Sequence, residues 1–220
     1  MNLRAVRSFV RRAGRQTPAQ QRALIELWPR FGMPGETGLI DFATLFGRSA
    51  PITIEIGFGN GDHLAARAVA EPQRNFLGIE VHRPGIGHLL RAAAAANLAN
   101  LRVAEQDAVV LLRERIASDT LDEVQILFPD PWPKKRHHKR RLIQPEFATL
   151  VASRLRRGGR LHLATDWEPY AQQMRVVLDG CPLLATVTNE QRIARATTRF
   201  EQRGLRLGHD VCDLTYVRVG

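Results

Sequence analysis

Between Ile52 and Leu178 the chain alternates short apolar runs with segments of helical composition, and that alternation leaves few folds open. The apolar runs are Ile52–Ile56, Asn75–Ile79, Leu101–Ala104, Glu123–Phe128 and Arg160–Ala164. The helical segments are Asp62–Ala70, Pro84–Asn97, Ala108–Ile116, Gln144–Arg156 and Glu168–Leu178, with Gly158-Gly159 ending the fourth. Parallel strands need a crossover, and a helix is the usual one, so repeated strand–helix units predict a parallel sheet covered on both faces. Two last runs, Leu183–Thr188 and Val211–Val219, have no clear helix between them and predict an antiparallel edge pair. The expected fold class is therefore α/β: a doubly wound, mostly parallel seven-stranded sheet forming a single domain over residues 36–220.

Residues 1–35 read differently. They are polar, basic and broken by Gly14, Pro18, Pro29 and Pro34, which predicts a flexible basic arm with one helix over Pro18–Leu27. Such an arm is either a solubilising tail or an RNA clamp. Charge supports the second use. Residues 1–31 carry seven Arg and one Glu, and residues 134–141 carry six Lys and Arg and no acid. Each patch is worth +6, more together than the total of +10, so the rest of the chain sums to −2. A near-neutral body with two cationic patches suits a phosphate backbone. A membrane suits it less. No apolar run approaches the roughly 20 residues of a spanning helix, and the N-terminal stretch has no signal-peptide core. It has the Arg and Ser of a transit peptide or a basic surface helix, which is the weaker reading. With only Cys181 and Cys212, a reducing compartment and a cytoplasmic location are expected. Monomer or homodimer has no signature in one chain.

The chemistry is expected at strand ends. Gly57-Phe58-Gly59-Asn60-Gly61 follows the first strand and opens a helix, so backbone amides can approach a ligand there. Glu80 ends the second strand, where doubly wound sheets place an acceptor for ribose hydroxyls. Glu55, Glu80, Asp107 and Asp130 all lie at or near strand C-termini, on one rim. Four carboxylates repel a pyrophosphate, which disfavours a nicotinamide cofactor. They suit a cationic, phosphate-free nucleoside, and S-adenosyl-L-methionine is such a ligand.

The most distinctive stretch is Ile126–Arg141, ILFPDPWPKKRHHKRR. Asp130, between two prolines, follows a strand, and eight cationic or imidazole residues follow it at once. This run is read as a phosphate-binding ledge rather than a solvated face. Trp132 either stacks on a base or anchors its loop. His137 and His138 are adjacent and lack metal-ligand spacing, so no metal is expected. Asp166 is either functional or a cap for the helix that follows.

These segments resemble one family. EIGFGNGDH (Glu55–His63), GIEVHRPG (Gly78–Gly85), FPDPWPKKRHHKRR (Phe128–Arg141), ATDWEPYA (Ala164–Ala171) and TRFEQRG (Thr198–Gly204) are similar to segments of the bacterial tRNA (guanine-N7)-methyltransferases. The resemblance runs from the basic segment Arg7–Arg15 to the last strand. It implies a Rossmann-like class I methyltransferase that uses S-adenosyl-L-methionine to methylate N7 of guanosine 46 in the tRNA variable loop. It implies cofactor contacts from Glu55, Glu80, Asp107 and Asp130, beside Gly57, Gly59 and Gly61. It implies substrate contacts from Lys134, Asp166, Thr198, Arg199, Phe200 and Glu201, and RNA contacts from Arg136, His137, His138, Lys139, Arg140 and Arg141. Asp130 is the expected catalytic residue. The alternative from another class is a non-enzymatic RNA-binding protein on the same fold.

Overall fold

The structure is a computed structural model that describes residues 16–35, 37–187 and 210–220. Three helices lead in: α1 (Pro18–Glu26), α2 (Trp28–Phe31) and α3 (Phe42–Phe46). Strands and helices then alternate as β1 (Ile52–Ile56), α4 (Asp62–Ala70), β2 (Asn75–Glu80), α5 (Arg83–Ala95), β3 (Leu101–Glu105), α6 (Ala108–Arg115) and β4 (Leu121–Leu127). A 3-10 helix (Lys135–Arg140) interrupts the pattern before α7 (Pro145–Arg154), β5 (Leu155–Thr165), α8 (Glu168–Asp179), β6 (Leu184–Thr186) and β7 (Cys212–Arg218). The seven strands are ordered β3-β2-β1-β4-β5-β7-β6. β1 to β5 pair in parallel, and β7 runs antiparallel to both β5 and β6. The expected parallel sheet with an antiparallel C-terminal pair is thus observed, with β7 inserted between β5 and β6. No described helix is long and apolar enough to cross a membrane.

Both faces are covered. Ile54, Val124, Ile126, Leu161 and Leu163 alternate onto the face that meets Leu111, Val151, Tyr170 and Met174 of α6, α7 and α8. Phe76, Leu101 and Val103 face Leu64, Leu89 and Leu90 of α4 and α5. The order reverses between β1 and β4, so their carboxyl ends frame the crevice where such sheets bind ligands.

Two expectations need correction. Residues 18–33 are not a free arm. Thr17 and Gln20 form a reciprocal capping box, and Ala23 and Leu24 of α1 are buried against α5. Phe31 is fully buried, and Met33 donates its N–H to the Val103 carbonyl at 2.7 Å. Four apolar anchors scattered among Arg and Pro hide the docked face in sequence. The segment Arg7–Arg15 lies outside the described residues. The second correction concerns Gly158-Gly159, which does not terminate a helix. α7 stops at Arg154, and both glycines belong to β5 beside a register shift at Leu121/Glu123. A Cβ on Gly159 would stand 2.8–2.9 Å from the carbonyl oxygens of Arg156 and Leu121, so the bulge needs a residue without one.

A part-buried network of charged side chains joins α4 to β4. Arg67 donates to both carboxylate oxygens of Glu123 (2.9 and 3.2 Å) and to Glu71 (2.8 Å). Burial opposes the Glu123 charge, but the Arg67 hydrogen bonds and charge, helped by Arg74, hold this carboxyl below its ordinary range. Arg67→Ala would leave the Glu123 carboxylate only the longer 3.5 Å pairing with Arg74 and is expected to cost about 3 kcal/mol. Because the Glu123 pKa is depressed on folding, the pair stabilises fully above the unfolded glutamate pKa of about 4.3. Its contribution disappears as pH falls through the folded value. Thermal melts of wild type and variant should therefore differ most near neutrality and converge in acid; a constant gap would contradict this assignment.

Candidate active site at the carboxyl ends of the strands

The loop after β1 has a conformation that only its glycines accept readily. Gly57, Gly59 and Gly61 all have positive φ (73°, 59° and 78°). Gly57 N–H donates to the Ile79 carbonyl and Gly61 N–H to that of Phe58, both at 2.8 Å, which closes the turn on β2. Glu80 completes it. One carboxylate oxygen accepts from Gly59 N–H at 2.9 Å, and the other from the N–H groups of Val81 (2.6 Å) and His82 (3.0 Å). A carboxylate accepts about four hydrogen bonds. Glu80 therefore holds the loop and retains capacity for a ligand hydroxyl.

The other rim acids differ in environment. Asp107 accepts from Val109 N–H at 2.9 Å and caps α6. Glu55 is 3% exposed and meets His63 Nδ1 at 3.0 Å, so its carboxylate is turned inward. The Nε2 atom of His63 is buried without a partner. Asp130 is exposed, and its negative charge is felt at the Tyr170 hydroxyl. Asp166 follows β5 and is not the cap of α8. Trp167 holds that position without a side-chain hydrogen bond, and Thr165 Oγ1 accepts from Trp167 N–H at 3.2 Å.

The segment after β4 is bent hard. Phe128 and Trp132 have φ of 54° and 43°, left-handed values that cost an aromatic residue about 1–3 kcal/mol each. Phe128 N–H still pairs with the Ala164 carbonyl at 2.8 Å, so the turn begins where the β4–β5 ladder ends. Trp132 then lies edge-on to His137, 5.8 Å between centroids, and under Arg140, 5.0 Å from its ring. The tryptophan thus braces the 3-10 helix. Lys134, Lys135, Arg136 and Lys139 are exposed. Some burial and four neighbouring cations lower the His137 pKa, which favours its neutral imidazole.

Arg141 does not belong to that exposed set. It is 3% exposed, donates to the Pro131 carbonyl at 2.7 Å and to Gln173, and lies 4.8 Å over the Tyr170 ring. Its expected RNA contact is corrected to a structural one, because the guanidinium ties the Asp130 turn to α8. Tyr170, whose hydroxyl burial pushes up to about 12, accepts from Ile143 N–H at 3.2 Å and closes the same joint. Thr198, Arg199, Phe200 and Glu201 lie outside the described residues.

Sequence reasoning missed Gly85, which is helical and needs no unusual φ. Its role is space. A Cβ there would stand 1.9 Å from the Gly59 carbonyl oxygen. Only the motif GIEVHRPG, which includes Gly85, hinted at it. Among the described residues, no group of three or more His, Cys, Asp and Glu is placed to hold a metal ion.

This rim, with glycine loop, ribose-type acid and exposed Asp130 on a doubly wound sheet, defines the class of S-adenosylmethionine-dependent class I methyltransferases. Comparison agrees. A family model described as "Putative methyltransferase" matches residues 49–214. The solved 16S rRNA methyltransferase KamB superposes with a TM-score of 0.58 at 16% identity, covering 86% of this chain and 99% of that one. A 16S rRNA (adenine(1408)-N(1))-methyltransferase from Catenulisporales acidiphilia gives 0.54 at 15% identity, covering 81% and 90%. In sequence, the tRNA (guanine-N(7)-)-methyltransferase of Halorhodospira halophila is 53% identical over 219 residues, 97% of this chain and 95% of that protein. The protein of the same name from Methylococcus capsulatus is 52% identical over 220 residues, 98% and 95% respectively. The chain belongs to the tRNA (guanine-N7-)-methyltransferase family.

Gly85→Ala tests the packing under the loop. The substitution suits a helix, so α5 should persist, while the loop must move away from Glu80. Calorimetric titration is expected to show S-adenosylhomocysteine affinity reduced about tenfold or more with near-native circular dichroism. Unchanged affinity would refute the packing argument.

Proposed function

We propose that this protein transfers a methyl group from S-adenosylmethionine to N7 of a guanine in tRNA, guanosine 46 of the variable loop being the target its family resemblance implies. One observation carries the reading beyond family membership. β1 and β4 are neighbours, so the glycine loop and the Asp130 turn share one crevice, and the cationic 3-10 helix begins five residues after Asp130. S-adenosylmethionine, when bound, supplies an electrophilic sulfonium methyl. N7 of guanine offers an in-plane lone pair and no proton, so no general base is required. What the chain must supply is position and charge.

Glu80 offers its remaining acceptor capacity to a ribose hydroxyl, and the Gly57–Gly61 amides and Asp107 line the same end. Asp130 and Asp166, at the ends of adjacent strands, accept from the N–H edge of guanine. They stabilise the positive charge that the ring gains as it is methylated. Lys134 and the Thr198–Glu201 segment hold the substrate. Glu55 is the fourth acid of the cofactor end, its carboxylate fixed behind the loop by His63 Nδ1 at 3.0 Å. Arg136, His137, His138, Lys139 and Arg140 face the RNA backbone. The four rim acids argue against a pyrophosphate cofactor, and the complete loop argues against a merely RNA-binding role.

Incubation with bulk tRNA and methyl-labelled cofactor, followed by nucleoside mapping, should give labelled 7-methylguanosine; unlabelled tRNA would sink the proposal. Asp130→Ala should lower turnover by about 10²–10³ with unchanged thermal stability. Wild-type turnover in that variant would remove Asp130 from the mechanism. With Arg141 buried, five Lys and Arg remain in residues 134–140. If all five meet phosphates, the log–log dependence of tRNA affinity on salt should slope at about −3.5 to −4.5 from this ledge. Replacing them by Gln should flatten the slope by that amount.

A further inference from the structure

A second cleft lies at the β3 edge of the sheet, between α2 and α3, with a volume of about 510 Å³. Arg102 is near the start of β3 and Arg115 ends α6, so both lie toward the amino ends of the strands, away from the glycine loop. Trp28, Met33 and Leu39 give the cleft apolar walls.

Its charge is unusual. Among the described residues, Arg30, Arg102 and Arg115 line it with a single acid, Asp41, for a formal +2. Each guanidinium is held by neutral acceptors. Arg30 donates to Asn97 Oδ1 at 2.7 Å, Arg102 to the Ala99 and Leu101 carbonyls at 3.1 and 2.8 Å, and Arg115 to the Gly38 carbonyl at 2.9 Å. Asp41 is occupied at the start of α3, accepting from the Ala43 and Thr44 amides and, at 2.7 Å, from the Thr44 hydroxyl. Among the described residues, none of the three arginines has a carboxylate within ion-pair distance. Carbonyl acceptors orient a guanidinium without neutralising it, which leaves the charge available to an anion.

Folding works against this arrangement. Burial and the charge of Arg30 both push the Arg102 pKa down, while the guanidinium rests 5.2 Å over the Phe46 ring. The contrast with the other sizeable cleft is direct. There Arg67, Arg74 and Arg156 pair with Glu71, Glu123 and Asp122, so three of its four lining arginines are already matched and Arg160 leaves a formal +1.

We propose that the β3-edge cleft binds the phosphate of a nucleotide unit, with Arg30, Arg102 and Arg115 on the anion and the half-buried Trp28 against the base. A phosphate monoester carries about −1.5 to −2 at neutral pH, which matches the formal +2 of the lining. The arginine fork suits its oxygens, and the apolar wall suits a flat base. Two sources offer a phosphate beside a base, a free nucleotide, whose monoester carries the charge just given, and a nucleotide within the bound RNA, whose diester carries about −1. Neither depends on methyl transfer at the rim.

The test titrates cytidine 5′-monophosphate into the full-length protein saturated with S-adenosylhomocysteine, so the cofactor end is filled and the probe lacks the guanine edge proposed for Asp130 and Asp166. Wild type should bind one equivalent. Arg30→Gln with Arg102→Gln should weaken it about tenfold, whereas the paired Lys substitutions retain most affinity because they keep the charge. Arg156→Gln, which removes an arginine already paired with Asp122, should leave it unchanged. The second arm measures tRNA affinity against salt. If the mononucleotide does not bind but the Gln pair weakens tRNA binding and flattens the slope by about 1–2, the phosphate belongs to RNA and the proposal stands. Absence of both effects overturns it, as does mononucleotide binding that ignores the Gln pair. Labelled methyl transfer, measured in parallel, reports the rim separately, so failure of one reading does not resemble failure of the other.

Discussion

The site depends on one close approach, that of the Gly59 backbone to the start of α5 and the end of β2. The Gly59 amide donates to Glu80, and its carbonyl occupies space that a side chain at Gly85 would need. Both ends of a single peptide segment are thus constrained by the next strand–helix unit. The loop cannot relax outward without losing a charge-assisted hydrogen bond, nor inward without a clash. A glycine-rich turn by itself is a flexible object. Held this way it becomes a shaped edge against which a nucleoside can be positioned, and positioning is most of what a reaction without a general base requires.

A comparable constraint operates on the acceptor side by different means. The turn after β4 carries two aromatic residues in left-handed conformations, which persist only if surrounding contacts over-determine them. Arg141 and Tyr170 supply part of that support. The buried guanidinium clamps the Pro131 carbonyl, and the tyrosine hydroxyl accepts from the backbone at Ile143. Asp130 is thereby fixed at the crevice while the cations that follow stay in solvent. A single run of like charge therefore divides its labour, with the last arginine folded in to hold the rest out.

Much of this was legible along the chain. The alternation from Ile52 to Leu178 gave every parallel strand, because buried strands write themselves as short apolar runs. The four rim acids and the cationic run were visible because strand ends order their chemistry by residue number. The docked N-terminal helices were not. Ala23, Leu24 and Phe31 are too few and too mixed with arginine to show periodicity, and their burial comes from α5 and β3, which lie far along the sequence. The double glycine at 158–159 misled for a related reason: a glycine that ends a helix and one that permits a bulge look alike until the neighbouring strand is in place.

What the sequence determined by itself was the order of elements, the rim to which the acids belong and the sign of the surface beside them. These follow from local periodicity and from charge, which are properties of consecutive residues. Only the tertiary structure decided that Arg141 is buried, that Gly85 makes room for a carbonyl, and that Arg30, Arg102 and Arg115 line one cleft without an ion pair among the described residues. Each of these joins residues distant in the chain, and the energy of a buried charge or a close contact depends on which groups fold against it, not on which precede it.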